Sequence, residues 1–149
     1  MKLEGSVLPI KKLKGTEPVK TLDLSGEYLG VASAVVIASL ISVNGALTKL
    51  SLARNRLGDK GIKAICEALE QNTTLKELDI SGGRYDINIG GSAGAKHVAK
   101  MVGVNGGLTA LDLSFNDLKD EGVSAVCEAI QSNKETKLCL LYTSDAADE

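Results

Sequence analysis

Aromatic side chains are nearly missing from this chain. Phe, Trp and Tyr together make up 3% of the 149 residues, and Trp is absent. Stacking platforms for bases or sugars are therefore scarce, and the core has to be aliphatic. There is no basic excess either. The net charge is −2, so the electrostatic footprint of a nucleic-acid binder is lacking. The most apolar run, "VASAVVIASLI" from Val31 to Ile41, falls well short of the ~20 residues that span a bilayer. The opening "MKLEGSVLPIKKLKG" has no uninterrupted apolar stretch of the kind a secretory signal needs. The three cysteines form no CxxC pair, which fits a reducing, cytoplasmic setting rather than a disulfide scaffold. His97 is the sole histidine, and no second ligand accompanies it, so neither a metal nor any other cofactor is expected.

What the chain does have is repetition. "VKTLDLSGEYLG" starts at Val19, "LTKLSLARNRLG" at Leu47, "LKELDISGGRYD" at Leu75 and "LTALDLSFNDLK" at Leu108, in steps of 28, 28 and 33 residues. The third unit thus carries about five extra residues. Each unit opens with L-x-x-L-x-L or a near variant, and this period-two alternation predicts a short strand with one buried face. A turn-rich stretch follows, then an apolar pattern at helical spacing. Ile62, Ile65, Cys66 and Leu69 line one helix face in the second unit; Val123, Val126, Cys127 and Ile130 do so in the fourth. Asp59 and Asp120 stand where a carboxylate can cap a helix start, and Ser92 aligns with them.

A strand, loop and helix in ~28 residues cannot bury a core alone, whereas stacked units form a parallel sheet covered by helices on one side. The pattern resembles the leucine-rich repeat family and, by unit length and N-x-L-x-D-x-G, its ribonuclease-inhibitor-like subfamily. Leu50, Leu52, Asn55, Leu57, Asp59 and Gly61 carry the match in the second unit. Leu111, Leu113, Asn116, Leu118, Asp120 and Gly122 carry it in the fourth. The resemblance implies an α/β solenoid, a horseshoe arc of about four repeats with the sheet concave and the helices convex. It also implies that the Asn side chain bonds loop backbone between units. Glu27 and Gly83 occupy that place in units one and three, so an unbroken asparagine ladder is not expected and those turns should be looser. The expected organisation is an N-terminal cap at 1–18, repeats at 19–46, 47–74, 75–107 and 108–137, and a tail at 138–149.

The tail breaks the pattern. A fifth unit should open near Leu138, yet "CLLYTSDAADE" contains no L-x-x-L-x-L-x-x-N. Read back into codons, Cys139 to Ser144 becomes TGT CTC TTA TAC ACA TCT, and "DAADE" becomes GAC GCT GCC GAC GA. Both resemble the transposon-end sequence of library adapters. The expectation is that Cys139 to Glu149 is translated adapter and that the natural protein continues with further repeats.

Several features invite a functional reading. "SGGRYDINIGGSAGAKH", Ser81 to His97, sets glycines between a strand and a helix, as phosphate cradles do. It lacks G-x-x-x-x-G-K-[ST] and G-x-G-x-x-G, so a structural turn carrying a protruding loop accounts for it better. Arg84, Tyr85 and Asp86 would be that loop's contact residues. Outward strand positions form two columns: Asp23, Ser51, Asp79 and Asp112; and Thr21, Lys49, Glu77 and Ala110. Asp79 and Asp112, ~4.8 Å apart across neighbouring strands, would attract a cation or a basic side chain. No subsite or pocket signal supports acid–base catalysis by this pair. Cys66 and Cys127 share a helical slot that Ala38 and Ala99 fill elsewhere, which predicts a buried position for a small residue. The first unit's helix leaves little polar outer face, so residues 1–18 are expected to fold back over it, with "SVLPIKKL" supplying a short strand. A dimer or partner surface is the sharper alternative.

The sequence therefore reads as a non-catalytic protein-interaction module. Its contacts would be Asp23, Lys49, Glu77, Asp79 and Asp112 on the concave face, with Arg54, Arg56, Arg84 and Tyr85 on the loop ridge. Nucleic acid and membrane are not expected partners. Ribonuclease-inhibitor-like repeats also occur in activators of the Ran GTPase and in NOD-like receptors, so a regulatory fragment of either kind is the alternative.

Overall fold

A computed structural model describes residues 2–3, 6–83 and 86–141. Strands β1 (Lys2–Leu3) and β2 (Ser6–Val7) pair antiparallel, apart from the main sheet. The segment "SVLPIKKL" thus supplies a strand, but it pairs with its own neighbour. The helix α1 (Ile10–Lys14) follows and stops at Gly15, whose φ of 93° is left-handed. Four strand–helix units come next: β3 (Thr21–Asp23) and α2 (Val31–Ile41), β4 (Lys49–Ser51) and α3 (Gly58–Leu69), β5 (Glu77–Asp79) and α4 (Gly91–Val102), β6 (Ala110–Asp112) and α5 (Lys119–Ser132). Strand β7 (Cys139–Leu141) closes the set. The strands β3 to β7 form one parallel sheet in sequence order.

The core is a stack of equivalent aliphatic side chains. Leu24, Leu52, Ile80 and Leu113 lie one above another behind the strand ends, and Ile37, Ile65, Val98 and Val126 fill the matching helix position; all eight are buried. Each such side chain contributes about 1.5–3 kcal/mol relative to exposure. Helices pack closely because glycines face them. A Cβ at Gly61 would sit 3.0 Å from Ala34 Cβ, and one at Gly122 would sit 3.0 Å from Ala95 Cβ.

The structure corrects four expectations. Unit three does have its asparagine. Asn88, five residues beyond Gly83, is fully buried and donates to the carbonyls of Leu52 (2.8 Å), Ile80 (3.4 Å) and Ser81 (3.3 Å), while accepting the Leu57 N–H at 3.2 Å. The extra residues precede the asparagine instead of replacing it. Two left-handed glycines, Gly90 and Gly91, then return the chain to α4. Nor does unit one have a loose turn, because Asn55 reaches back to the N–H groups of Glu27 and Leu29, each at 3.0 Å.

Second, Asp59 and Asp120 are not side-chain caps. The helices start one residue earlier, at Gly58 and Lys119, and the carboxylates lie within the first turn, where they favour the positive end of the helix dipole. Ser92 likewise lies inside α4, and no side-chain cap bond is made there. Third, Cys127 is exposed although Cys66, Ala38 and Ala99 in the same slot are buried. That slot is closed by the following helix, and α5 is the last helix described. Fourth, the N-terminal segment covers α2 in part. Leu8 and Leu13 join the core, yet Val35 remains 51% exposed.

Candidate functional site

The concave face is built by strand register. Thr21, Lys49, Glu77 and Ala110 are direct partners across β3 to β6, as are Asp23, Ser51, Asp79 and Asp112. The two columns predicted from the repeat spacing therefore exist. Lys49, Glu77, Asp79, Ala110 and Asp112 rim a shallow trough of about 190 Å³ floored by Leu50, Leu78 and Leu111.

The aspartates also have a structural task that the sequence reading missed. The Oδ1 of Asp23 accepts the Ser25 N–H at 2.9 Å, Asp79 accepts that of Ser81 at 3.0 Å, and Asp112 accepts that of Ser114 at 2.9 Å. Ser81 Oγ adds a 2.7 Å bond to Asp79. Each Asp-x-Ser thus closes an Asx turn at the strand end, and the recurring D-L-S and D-I-S tripeptides were its signal. These bonds fix Asp79 and Asp112 at the rim of the trough and Asp23 at the end of β3. Hydrogen bonds from the Ser25 side chain and backbone hold the Asp23 carboxyl below its ordinary range, with Lys49 adding to the effect and slight desolvation opposing it.

On the loop ridge, Arg54 and Arg56 are both exposed. Arg56 Nη2 lies 3.5 Å from Asp86 Oδ2, so it is tied to the inserted loop. Between them, Arg56, Gly58, Asp86, Ile87 and Gly90 border an open recess of about 540 Å³. Arg84 and Tyr85 lie outside the described residues. His97 sits in a cleft between α3 and α4 with Lys63, Cys66, Glu67, Glu70 and Lys100. Burial pushes the Cys66 thiol far up, helped by Glu70 and Glu67. Among the described residues no group of three or more His, Cys, Asp or Glu could hold a metal ion, and no helix is long and apolar enough to cross a membrane.

A second asparagine ladder at the helix ends also escaped the sequence reading. Asn44, Asn72, Asn105 and Asn133 recur at steps of 28, 33 and 28, one at the end of each unit. Asn105 donates to the carbonyls of Leu69 (2.7 Å) and Asn72 (3.1 Å), and Asn133 to those of Val102 (2.7 Å) and Asn105 (2.9 Å). The connections after the strands and those after the helices are thus both hydrogen-bonded from unit to unit.

Comparison with known proteins agrees with this architecture. A family model described as "Leucine Rich repeat" matches residues 46–66, 71–84 and 108–127. The mouse (Mus musculus) protein "NACHT, LRR and PYD domains-containing protein 12" is 37% identical over 114 residues, 76% of this chain and 10% of that protein. "RAN GTPase-activating protein 2" of Arabidopsis thaliana is 27% identical over 134 residues, 89% of this chain and 24% of its own length. The solved structure "Leiomodin-1 Actin-Binding Site 2 (ABS2)" superposes with a TM-score of 0.78 at 17% identity, covering 91% of this chain and 77% of that one. The chain spans about a tenth of the first relative and a quarter of the second. It carries leucine-rich repeats and folds as an α/β leucine-rich-repeat solenoid.

Proposed function

We propose that this solenoid is a non-catalytic protein-interaction module whose partner lies across the concave strand face and the adjoining loop ridge. The observation that carries this reading is the trough itself. Its rim charges Lys49, Glu77, Asp79 and Asp112 are set by strand register, and two of the carboxylates are further fixed by Asx turns. Side chains held before binding lose little freedom on association, so a modest contact area can give useful affinity. The likeness to an actin-binding domain and to a GTPase activator supports a protein partner. A ribonuclease-inhibitor-like origin and an intracellular location belong to the same reading.

The test uses purified actin, Ran loaded with GTP, and a displayed random-peptide library as probes. Binding by any of them should weaken at least tenfold when Asp79 and Asp112 are both changed to Lys. Unchanged affinity would remove the concave face from the interface. The alternative, a regulatory piece of a Ran-activator-like or NOD-like-receptor-like protein, is favoured by the relatives' identities. It predicts accelerated GTP hydrolysis by Ran, and a rate equal to the intrinsic one counts against the activator form.

The translated-adapter reading of Cys139 to Glu149 rests on the codon match and on the loss of the repeat pattern after Leu138. Sequencing the 3′ end from genomic DNA decides it: codons for Cys139 to Glu149 in the genome would exclude the adapter.

A further inference from the structure

Among the described residues, five non-glycines have left-handed backbone: Tyr28 (φ 59°), Arg54 (55°), Phe115 (58°), Asp117 (51°) and Lys119 (60°). Four lie on the ridge between strand ends and helix starts, and Lys119 is the first residue of α5. Asp tolerates this conformation; Tyr, Arg, Phe and Lys adopt it at a cost that glycine avoids. The fold does not require a side chain there. Gly26, which precedes Arg54 by one repeat, has the same conformation (φ 64°) with open space around it. Strain of this kind is retained where a side chain has a use beyond folding.

Exposure points the same way. Of the chain's four aromatic residues, the two described, Tyr28 and Phe115, both stay outside the core. Tyr28 is 77% exposed and Phe115 is 41% exposed. Charge then separates the ridge cations. Arg56 pairs with Asp86, and Lys119 Nζ lies 3.4 Å from Asp117 Oδ2, whereas Arg54 makes no ion pair among the described residues.

We propose that Tyr28, Arg54 and Phe115 are the energetic anchors of the interface, and that they take a protein segment presenting a carboxylate flanked by aliphatic or aromatic side chains. The guanidinium of Arg54 supplies a planar fork for that carboxylate. The two rings offer large, stiff apolar contacts of the type that dominates binding energy. This deepens the interaction-module reading and rests on it. It differs in placing the energy on the ridge and making the trough a complementary floor.

The random-peptide library selected against the whole chain tests it. Recovered peptides should be enriched in Asp or Glu beside Leu, Ile or Phe. Their affinity should fall at least tenfold in Arg54→Gly, Tyr28→Gly and Arg54→Glu. The thermal midpoints of Arg54→Gly and Tyr28→Gly should equal or exceed that of the parent, a pairing of lost binding with kept stability that a merely structural side chain would not give. Peptides that ignore these three changes but are lost in the Asp79→Lys, Asp112→Lys double variant overturn this proposal and leave the module reading standing. Lowered midpoints in the glycine variants, with binding intact in Arg54→Glu, overturn it as well. A library that yields no binder overturns both readings.

Discussion

The backbone N–H of Asn88 donates to the side-chain oxygen of Asn116 at 2.8 Å, linking residues 28 apart in sequence. The side chain of Asn88 in turn reaches back to Leu52. One buried asparagine, through its backbone and its side chain, therefore joins three consecutive units.

Asn88→Ala should be among the more damaging single changes in the loop region. It strands the Leu57 N–H and the carbonyls that Asn88 now satisfies, and an unsatisfied buried group costs about 1–3 kcal/mol. Urea unfolding should show a loss of roughly 2–4 kcal/mol for the set. Gly83→Asn, at the position the repeat spacing would choose, should not rescue it. A loss below about 0.5 kcal/mol would mean that water replaces the amide.

Two glycines with similar backbone should respond differently to alanine. Gly26 (φ 64°) has nothing within 4 Å of an added Cβ, so Gly26→Ala meets the left-handed cost alone, about 1 kcal/mol. At Gly90 (φ 80°) the added carbon would lie 2.6 Å from the Asp59 backbone nitrogen. Gly90→Ala should therefore cost several times more, at about 3 kcal/mol or above. Equal melting temperatures for the two variants would contradict the close approach.

Asp23 should titrate below the ordinary value of 3.8 because Ser25 hydrogen-bonds its ionised form. A depressed folded pKa makes this interaction's stabilisation present above about pH 4 and lost as pH falls through the lowered value. Ser25→Ala removes the hydroxyl and leaves the backbone N–H, so the carbon-detected carboxyl titration should move part of the way back toward 3.8. No movement would assign the depression to the backbone bond.

Thiol labelling of the native chain should separate Cys66 from Cys127. The first is 1% exposed with its thiol held protonated; the second lies on the open side of α5. Cys127 should react within the ordinary time of an exposed thiol, and Cys66 should need unfolding. Comparable rates would show that α3 and α4 part readily.

Strand columns and helix faces were legible because both follow periods that the repeat makes visible: Lys49 and Glu77 share a column for the same reason that Ile37 and Ile65 share a layer. The third unit's asparagine was not, because alignment from the strand places Gly83 opposite Asn55, and nothing in sequence says that the extra residues come before the asparagine. Asn44, Asn72, Asn105 and Asn133 were visible at the right steps, but an asparagine after a helix reads as a stop signal and its bonds cross units. Cys127 was misjudged because burial of its slot depends on the next helix and not on its own. The binding role of the concave residues stays a proposal, since Asx turns alone would place aspartates at 23, 79 and 112.

The inserted stretch before Asn88 shows how repeat length is controlled. The chain leaves the sheet at Gly82, whose N–H is held by the Ser114 carbonyl at 2.8 Å, and is caught again at Asn88. Between those two fixed points, five additional residues have been absorbed while β5 and β6 keep their pairing. Foreign sequence grafted between Gly83 and Asn88 would meet the same two clamps, which makes this the natural port for fitting the scaffold with a new recognition loop.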